Sequence, residues 1–395
     1  MNSFDFFGKN SICPNCFDKF KIEESLEPYE QGYRCPRCQK IYPTRKIVYI
    51  LKDKCNPKKC IYKCVAFCEK NALKKSVLGE KGHFMLNGLL KNYRNPKIFI
   101  KEECNNCGKC VEQCPFGALI SIDTPAFLTS ESFLEKYDPG KNKKSEKFND
   151  LQLRQFLTEK EIRPASFLLY TEIAKIIQKK KQEEIIIDNG SGINITRTFT
   201  DDKINILSLD IRADHNAFYP THGLANGEQL PIKRECVDSF VSTNVLEHIT
   251  NPDRYLSEIY RTLKKGGDLI ITVPTPWWHL SKLLSIHHYL NYVIHVLRCP
   301  LSFLKNPIKD FNIFWSHEKD CNYENTKSAS TLSEEIKNFR TERWEKLFCN
   351  SNFYIKDKKN VGNVFSNNIF AGKFSKMMGN SEKCPIFLLY VLKKK

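Results

Sequence analysis

The chain has 395 residues, of which 41% are hydrophobic, enough for two or three domains with ordinary cores. Its 62 lysines and arginines against 45 aspartates and glutamates give a net charge of +17, which suits an anionic partner such as RNA, an acidic protein or a lipid surface, although a lysine-rich proteome produces the same excess. The absence of a signal-peptide pattern and of an apolar run of about 18 residues predicts a cytoplasmic protein without a transmembrane segment, in which most of the 17 cysteines bind metals rather than form disulfides.

The N-terminal region contains two C-P-x-C pairs separated by 18 residues. The four cysteines are Cys13, Cys16, Cys35 and Cys38. This spacing is typical of a tetrahedral four-cysteine zinc site. A rubredoxin-type iron site uses the same ligands, but a glycine usually follows its second cysteine, whereas Phe17 and Gln39 stand here. We therefore predict a structural zinc ribbon in residues 1–50, and the segment resembles the small zinc ribbons that precede or activate RNA and protein methyltransferases.

The next region, residues 51–125, contains eight cysteines in two sets. They are Cys55, Cys60, Cys64 and Cys68 in the first set and Cys104, Cys107, Cys110 and Cys114 in the second. The second set has the spacing C-x2-C-x2-C-x3-C-P, which is the binding run of a [4Fe-4S] cluster in bacterial-type ferredoxins. The residues therefore predict an iron–sulfur domain, and a second structural zinc domain is the alternative use of the same thiolates.

The stretch from VYILKDKCNPKKC to CPFGALISIDTP resembles the iron–sulfur domain at the front of the ribosome-recycling ABC-type ATPase, including the phrase CNPKKC. The resemblance implies a ferredoxin-like α+β domain with two [4Fe-4S] clusters, in which the fourth cysteine of each run binds the other cluster. One cluster would then be held by Cys55, Cys60, Cys64 and Cys114, and the other by Cys104, Cys107, Cys110 and Cys68. Glu69 departs from the family, which usually has proline after the fourth cysteine.

The polar stretch EKYDPGKNKKSEKFND marks residues 126–165 as a linker. From residue 166 onward, helical patterns alternate with short apolar runs rich in isoleucine and valine. The helical segment is FLLYTEIAKIIQKKK, the strand-like runs are EEIIID, KINILSLD, CVDSFVST and DLIITVP, and two late strands are SNFYIKD and CPIFLLYVLKKK. This order predicts an α/β fold with a doubly wound, mostly parallel sheet.

A glycine turn follows the first of these strands. Asp188, Gly190 and Gly192 fit the pattern D-x-G-x-G, in which glycine lets the backbone pass close to a ligand. The next strand ends in Asp210, an acid placed to accept hydrogen bonds from ribose hydroxyls. The dinucleotide pattern G-x-G-x-x-G fails because Ile195 occupies its third glycine position.

Residues 166–395 resemble the class I S-adenosylmethionine-dependent methyltransferases of the type 11-like group, through ANGEQLPI in addition to the glycine turn. The segment VDSFVSTNVLEHITNPDRYLSEIYRTLKKGGDLIITVP (237–274) is similar to that family's fourth strand, helix, a further glycine turn and fifth strand. The resemblance implies a Rossmann-like seven-stranded sheet and bound S-adenosylmethionine. It implies that the cofactor is bound by Asp188, Gly190, Gly192, Asp210, Asn226, Gly227 and Asn244. Asn194 replaces a frequent third glycine of this family, and Asn226 replaces a frequent aspartate that reads the adenine amino group.

Methyl transfer from a sulfonium requires mainly alignment, so the sequence predicts no catalytic base. His248 in the phrase NVLEHI is interpreted as structural or cofactor-side, with a substrate-facing role as the alternative. The five scattered cysteines are interpreted as buried small hydrophobic residues. They are Cys236, Cys299, Cys321, Cys349 and Cys384.

Residues 275–350 form a long insertion where such enzymes usually build a cover over the substrate. Its first part, between Pro276 and Pro300, has a helical period with one apolar face. That face consists of Leu283, Ile286, Leu290, Val293 and Leu297. The pattern predicts an amphipathic helix that packs on the domain, faces a lipid surface with Trp277 and Trp278 at its edge, or contacts an RNA end.

These patterns together predict a methyltransferase whose front half, with zinc and two iron–sulfur clusters, docks a macromolecular or redox partner. The methyl acceptor stays open between a small molecule, a lipid and RNA. Two alternative functions are an RNA- or translation-associated factor that holds the cofactor without turnover and an electron-transfer partner of a reductase.

Overall fold

The computed structural model describes residues 3–30, 32–50, 55, 57–60, 63–75, 98–100, 104–128, 164–200, 203–214, 217, 219–283, 332–363 and 384–395. Within these ranges, no helix is long and apolar enough to cross a membrane. The chain folds into two compact units. The first comprises Met1–Phe156 and Ile187–Cys236, and the second comprises Leu157–Ile186 and Val237–Lys395.

The N-terminal part of the first unit combines short helices with small antiparallel sheets. Its helices are α1 (Ser3–Asn10), α2 (Pro14–Phe20), α3 (Pro57–Cys60), α4 (Lys63–Ala66) and α5 (Lys109–Glu112). Its strands are β1 (Glu27–Tyr29), β2 (Gly32–Arg34), β3 (Ile41–Ile50), β4 (Leu73–Lys75), β5 (Ile98–Ile100) and β6 (Leu119–Pro125). Strands β1, β2, β3 and β6 form one sheet in this order, and β4 pairs with β5. The cysteine-bearing helices α3, α4 and α5 thus lie between the two long strands β3 and β6 in the chain.

Strands β3 and β6 form the longest ladder of this part, in antiparallel register from Thr44 with Pro125 to Ile50 with Leu119. Because successive side chains of a strand point to opposite faces, the ladder contributes to two separate hydrophobic cores. One core contains cysteines of the predicted iron–sulfur domain, and the other contains Leu224.

The remainder of the first unit contains helix α7 (Ile195–Thr198) and strands β8 (Ile206–Asp210) and β9 (Gly223–Leu224). Most of the predicted cofactor-binding residues lie at the ends of these strands or in the turns beside them. Strand β9 runs parallel to β8 and is only two residues long. Ala126, directly after β6, forms a parallel bridge to Leu224 of β9. Gly223 leaves no room for a side chain, because a Cβ there would lie 2.8 Å from Cδ2 of Leu209 and 3.1 Å from the ring of Phe7.

The described residues of the second unit form five helices and a 3-10 turn. They are α6 (Pro164–Ile177), a 3-10 turn (Leu246–His248), α8 (Pro252–Thr262), α9 (Pro276–Leu283), α10 (Leu332–Asn338) and α11 (Thr341–Asn350). Its strands are β10 (Val237–Thr243), β11 (Leu263–Pro274), β12 (Phe353–Val361) and β13 (Phe387–Lys394). Helix α8 begins at an Asn251 cap, whose side chain accepts the N–H of Arg254, followed by Pro252 at the first helical position.

Strand β7 (Ile186–Asn189) completes a seven-stranded sheet in the order β12, β13, β11, β10, β7, β8, β9. The pairs β10/β11 and β8/β9 are parallel, whereas β13 runs antiparallel to both β11 and β12. Nearly every residue of β7, β8 and β10 is buried, as expected for strands covered on both faces. The predicted α/β class with a seven-stranded methyltransferase-type sheet is confirmed.

One local prediction differs from the structure. The glycine turn expected between helix α8 and the following strand is instead the first part of β11. The register against β10 shifts from Val237 with Leu263 to Ser239 with Asp268, so the extra residues form a bulge. Gly266 takes a φ of +71° there, which a side chain would disfavour.

Candidate cofactor and metal sites

The four N-terminal cysteines converge on one point. Their sulfur atoms all lie within 4.8 Å of one another, with Sγ–Sγ distances of 3.5 Å from Cys13 to Cys38 and 3.6 Å from Cys16 to Cys35. Four thiolates around a zinc ion at about 2.3 Å are separated by about 3.8 Å, so the set fits a single tetrahedral ion.

Both C-P-x-C pairs have the same local geometry. The N–H of Cys16 donates to Sγ of Cys13, and the N–H of Cys38 donates to Sγ of Cys35, each at 3.4 Å. Burial raises the pKa of the Cys13 thiol to about 11, so metal binding there must displace a proton. The donor set could hold zinc and supplies no redox function with it.

The eight cysteines of the second region have a different arrangement. Cys64 and Cys110 are buried in a hydrophobic core with Val48, Ile50 and Leu119. Other cysteines of the two sets pack against this core, namely Cys55, Cys68, Cys104 and Cys114. Among the described residues, only the N-terminal set brings three or more ligand atoms within 4.8 Å of one another. Wider spacing is expected where thiolates hold the corners of a cluster rather than one ion.

Nearby thiols act on the two buried cysteines of this core. Burial and then the thiols of Cys60, Cys114, Cys55 and Cys110 raise the pKa of Cys64 to about 12. Burial and then the thiols of Cys104, Cys68 and Cys107 raise the pKa of Cys110 to about 12. Cys114 thus lies near Cys64 of the first set, and Cys68 lies near Cys110 of the second.

Cys68 and Cys114, the two cysteines predicted to bind the other cluster, make equivalent hydrogen bonds. Ala72 N–H donates to Sγ of Cys68, and Ala118 N–H donates to Sγ of Cys114, each at 3.3 Å. Such N–H···S bonds stabilise thiolate ligands. Glu69, which departs from the family pattern, forms an exposed ion pair with Lys109.

The glycine turn after β7 supports the acid at the end of β8. Gly190 and Gly192 take φ values of +79° and +51°, and Asn194 takes +58°. Asparagine tolerates this left-handed conformation better than most residues, which explains how it can replace the family's third glycine. The N–H of Gly192 donates to Oδ2 of Asp210 at 2.7 Å. Among the residues that the structure describes, no atom lies within 4 Å of a Cβ placed on Gly192, so there is open space beside this turn.

Asp188 is buried, whereas Asp210 is half-buried. Burial and the nearby Asp210 raise the pKa of Asp188 to about 7, despite a hydrogen bond from Thr196. Burial also raises the pKa of Asp210, while the N–H groups of Gly192 and Arg212 oppose this effect. A cationic ligand would stabilise the ionised form of both carboxyls.

Asn226 and Gly227 lie in a tight turn after β9. Oδ1 of Asn226 accepts the N–H of Glu228 at 2.9 Å, and its backbone carbonyl accepts the N–H of Gln229 at 2.9 Å. An amide oxygen has two lone pairs, so Oδ1 could still accept a ligand amino group. The backbone of Ala225 donates to the carbonyl of Asp210 at 2.9 Å, which ties this turn to the predicted ribose acid.

Asn244 belongs to the second unit and follows β10 with a φ of +52°. Its N–H donates to Oγ1 of Thr272 at 3.0 Å, and that hydroxyl donates to Oδ1 of Asn244, also at 3.0 Å. These two hydrogen bonds therefore fix the side chain of Asn244 at the carboxyl ends of the parallel strands β10 and β11. In the adjacent 3-10 turn, burial raises the pKa of Glu247 to about 8, and Nε2 of His248 lies 4.0 Å from its carboxylate.

Sequence reasoning missed a buried pair of ionisable side chains, His279 in α9 and Glu335 in α10. Nε2 of His279 lies 3.3 Å from Oε2 of Glu335, and the imidazole stacks on Phe339 with ring centroids 5.3 Å apart. The two residues are 56 positions apart in a region without a motif, so no local pattern could have paired them.

Two further predictions concern the insertion after β11. Trp277 is exposed but Trp278 is buried, so only the first can lie at the edge of a cover. Residues 284–300 of the predicted amphipathic helix lie outside the described residues.

The interpretation of the scattered cysteines as buried is wrong for Cys349, which is exposed. Cys236 and Cys384 are half-buried, and Cys299 and Cys321 lie outside the described residues.

Comparison with protein families identifies two segments. Residues 194–271 match the family described as "Methyltransferase domain", and residues 97–120 match the "4Fe-4S binding domain". The first contains Asp210, Asn226 and Asn244, and the second contains the run from Cys104 to Cys114.

Curated relatives match only short parts of the chain. The translation initiation factor rli1 of Schizosaccharomyces pombe is 36% identical over 90 residues, which are 22% of this chain and 13% of that protein. An uncharacterized protein of Methanocaldococcus jannaschii is 44% identical over 50 residues, 13% of this chain and 24% of that protein. This chain therefore matches less than a quarter of the length of either relative.

Among solved structures, a SAM-dependent methyltransferase from Aquifex aeolicus is 10% identical, with a TM-score of 0.35, and the match covers 62% of this chain and 99% of that one. The two family matches and the seven-stranded sheet together define the two main parts of the molecule. The chain thus contains a 4Fe-4S binding domain in residues 97–120 and a methyltransferase domain that includes residues 194–271.

Proposed function

We propose that this chain is an S-adenosylmethionine-dependent methyltransferase that carries two [4Fe-4S] clusters and a structural zinc ion. The observation that carries the proposal is the turn from Gly190 to Asn194, whose backbone N–H at Gly192 holds the carboxylate of Asp210 beside open space. A carboxylate held in this way can accept hydrogen bonds from both hydroxyls of a ribose without changing its position.

The bound cofactor would supply a methyl group already activated by the sulfonium charge. The residues of the chain then have to bind and align it, since in-line displacement depends mainly on the approach of the reacting atoms. Asp188 and Asp210 favour a cationic cofactor, and Asn226 and Gly227 would contact the adenine. Asn244, fixed by Thr272, would lie near the methyl group.

Methyl transfer from a sulfonium consumes no electrons, so the iron–sulfur clusters are not reactants in it. We assign Cys55, Cys60, Cys64 and Cys114 to one cluster and Cys104, Cys107, Cys110 and Cys68 to the other. We assign zinc to Cys13, Cys16, Cys35 and Cys38, because their separations suit one tetrahedral ion. These metals would serve structure, sensing or the docking of a redox partner.

The proposal is tested on anaerobically purified protein with its metals intact. S-adenosylmethionine binding is measured by calorimetry, and label transfer from the methyl-labelled cofactor is followed into fractionated RNA, protein and lipid. We expect Asp210→Ala to weaken binding roughly 10- to 100-fold, since bonds to a charged acceptor contribute about 1.5–3 kcal/mol. Asp357→Ala, an exposed acid on β12, is the control and should bind normally. Failure of the wild-type protein to bind the cofactor would overturn the proposal.

A second candidate is an RNA- or translation-associated factor that holds the cofactor without turnover. The match to a translation initiation factor over 90 residues and the net charge of +17 favour it. RNA binding that weakens steeply with salt, together with cofactor binding but no label transfer to any fraction, would support this candidate over the first.

A further inference from the structure

One antiparallel ladder, β3 with β6, separates the predicted cluster ligands from the predicted cofactor site within the first unit. Val48, Ile50 and Leu119 face the core that contains Cys64 and Cys110. The alternate residues Ile47 and Tyr49 face the opposite core, with Leu224, Ala126 and Leu128. Ile211, which directly follows Asp210, packs against that second core. Strands β3 and β6 therefore contribute residues both to the core that contains Cys64 and Cys110 and to the core beside Asp210.

On the cluster side, Asn106 connects the ligand loop to the ladder. It lies between Cys104 and Cys107 with a φ of +57°. Its N–H donates to Sγ of Cys104 at 3.4 Å, and its Oδ1 accepts the N–H of Val48 at 3.0 Å. A displacement of Cys104 would therefore be transmitted to the backbone of β3.

On the cofactor side, Tyr49 is the next residue of the same strand. Its hydroxyl, buried with 1% of the residue exposed, accepts the N–H of Thr221 at 3.3 Å. Thr221 lies two residues before β9, and Oγ1 of Thr124 in β6 donates to its carbonyl at 3.4 Å. Both strands of the ladder thus bind the backbone that leads into β9.

The connection continues from β9 to the predicted ribose and adenine contacts. Phe127 N–H donates to the carbonyl of Leu224 at 2.8 Å, and Ala225 N–H donates to the carbonyl of Asp210 at 2.9 Å. Asn226 is the next residue. Every step from Cys104 to Asp210 and Asn226 is a bonded neighbour, a hydrogen bond or a contact in a buried core.

We infer that cluster occupancy controls cofactor affinity through this ladder, with Asn106 and Tyr49 as positioning residues. The inference rests on the proposed function and adds regulation to it. When the clusters are present, the ladder holds the segment from Thr221 to Asn226 in its binding position. When they are lost, Cys104 and Asn106 are released and the segment loses its support. Damage to the clusters by oxidants or iron depletion would then suppress methyl transfer without a separate regulatory subunit.

The test measures the affinity for S-adenosylhomocysteine, which occupies the cofactor site but cannot react. Protein with intact clusters is compared with protein whose clusters have been removed by an iron chelator and an oxidant, with zinc content checked in both. We expect removal to weaken binding about tenfold or more, within the usual range of coupling between sites. The complementary readout is the bleaching rate of the clusters under chelator, which S-adenosylhomocysteine should slow.

Two variants test the path with the clusters still in place. Tyr49→Phe removes only the hydroxyl, and Asn106→Gly removes the side-chain acceptor at a φ that glycine adopts freely. Both should bind S-adenosylhomocysteine several-fold more weakly, and in both the ligand should lose its effect on bleaching. Tyr354→Phe, on an exposed tyrosine of β12, is the matched control and should behave as wild type.

The outcomes separate the two proposals. Equal affinity with and without clusters, or normal affinity and normal protection in Tyr49→Phe, would overturn the coupling and leave the proposed function standing. No binding by the wild-type protein with intact clusters would overturn both. Because Tyr49→Phe is measured with clusters in place, the test does not depend on whether the cluster-free protein stays folded.

Discussion

The side-chain amide of Gln229 donates a hydrogen bond of 2.6 Å to the backbone carbonyl of Pro14, 215 positions earlier in the chain. Pro14 follows Cys13 of the predicted zinc site, and Gln229 closes the turn that begins at Asn226. Ile12 N–H reinforces the contact by donating to the carbonyl of Pro231 at 3.2 Å. The predicted adenine turn is thus fixed on the N-terminal ribbon within the first unit.

Replacing Gln229 with alanine should therefore affect both stability and cofactor binding. Gln229 is buried, so the variant leaves the Pro14 carbonyl without its donor, which costs about 1–3 kcal/mol. We expect a lower free energy of unfolding in denaturant titrations and weaker binding of S-adenosylhomocysteine, with zinc retained. Gln39→Ala is the matched control, because Gln39 donates to the carbonyl of Pro36 at an exposed position. Its unfolding free energy should stay within about 0.5 kcal/mol of wild type, and an equal loss in both variants would contradict the role of Gln229.

Paired cysteine variants should reveal which thiols share a cluster. If Cys68 and Cys114 are exchanged between clusters, the double variant Cys68→Ala/Cys107→Ala loses one cluster, and its iron content falls from about eight to about four atoms per chain. The double variant Cys107→Ala/Cys114→Ala should lose both clusters. Iron analysis and electron paramagnetic resonance of the reduced proteins provide the measurement. Ligation within each sequence run predicts the reverse pattern, and Cys349→Ala, on an exposed cysteine outside both sets, is the control.

The sequence predicts these sites to very different degrees. Asp188, Gly190, Gly192 and the four cysteines of the ribbon lie in short motifs whose spacing follows from local backbone geometry, so they can be found without a fold. The contact of Tyr49 with Thr221 spans 172 positions, and that of Gln229 with Pro14 spans 215. Such contacts depend on how separate segments pack, and neither residue type at either end is diagnostic. The pair of His279 and Glu335 could not be predicted for the same reason.

The glycine turn predicted before the strand now seen as β11 shows a second limit of prediction from sequence. A Gly-Gly pair predicts a break in regular structure, but the neighbouring strand β10 can still pair with the residues on both sides of it. The outcome is a bulge within β11 rather than a loop. The sequence indicates that Gly266 takes a left-handed conformation. It does not indicate whether the residue lies in a loop or in a bulge within a strand.

Asp188 should make the stability of the ligand-free protein depend on pH. Its pKa is raised by burial to about 7 from an ordinary value of 3.8, so folding favours its protonated form. The contribution of this residue is fully present below about pH 4 and is lost as the pH rises through 7. Asp188→Asn, which stays neutral, should gain in unfolding free energy relative to wild type across this window, by at most about 4 kcal/mol. Denaturant titrations at several pH values measure the difference, and a difference that is constant from pH 4 to 8 would contradict the assignment.

The pair of His279 and Glu335 should be a large determinant of stability in the second unit. Both side chains are buried, and His279 additionally stacks on Phe339. His279→Ala removes the ring that contacts the buried Glu335 carboxyl and stacks on Phe339, so it should lower the free energy of unfolding by about 1–3 kcal/mol. Lys175→Ala is the control, since Lys175 pairs with Glu172 at an exposed position, and its loss should cost less than about 1 kcal/mol. A double variant in which leucine replaces both His279 and Glu335 should recover much of the loss, because it replaces both buried polar side chains with apolar ones. Equal unfolding free energies for His279→Ala and Lys175→Ala would show that the buried pair contributes no more than a surface contact.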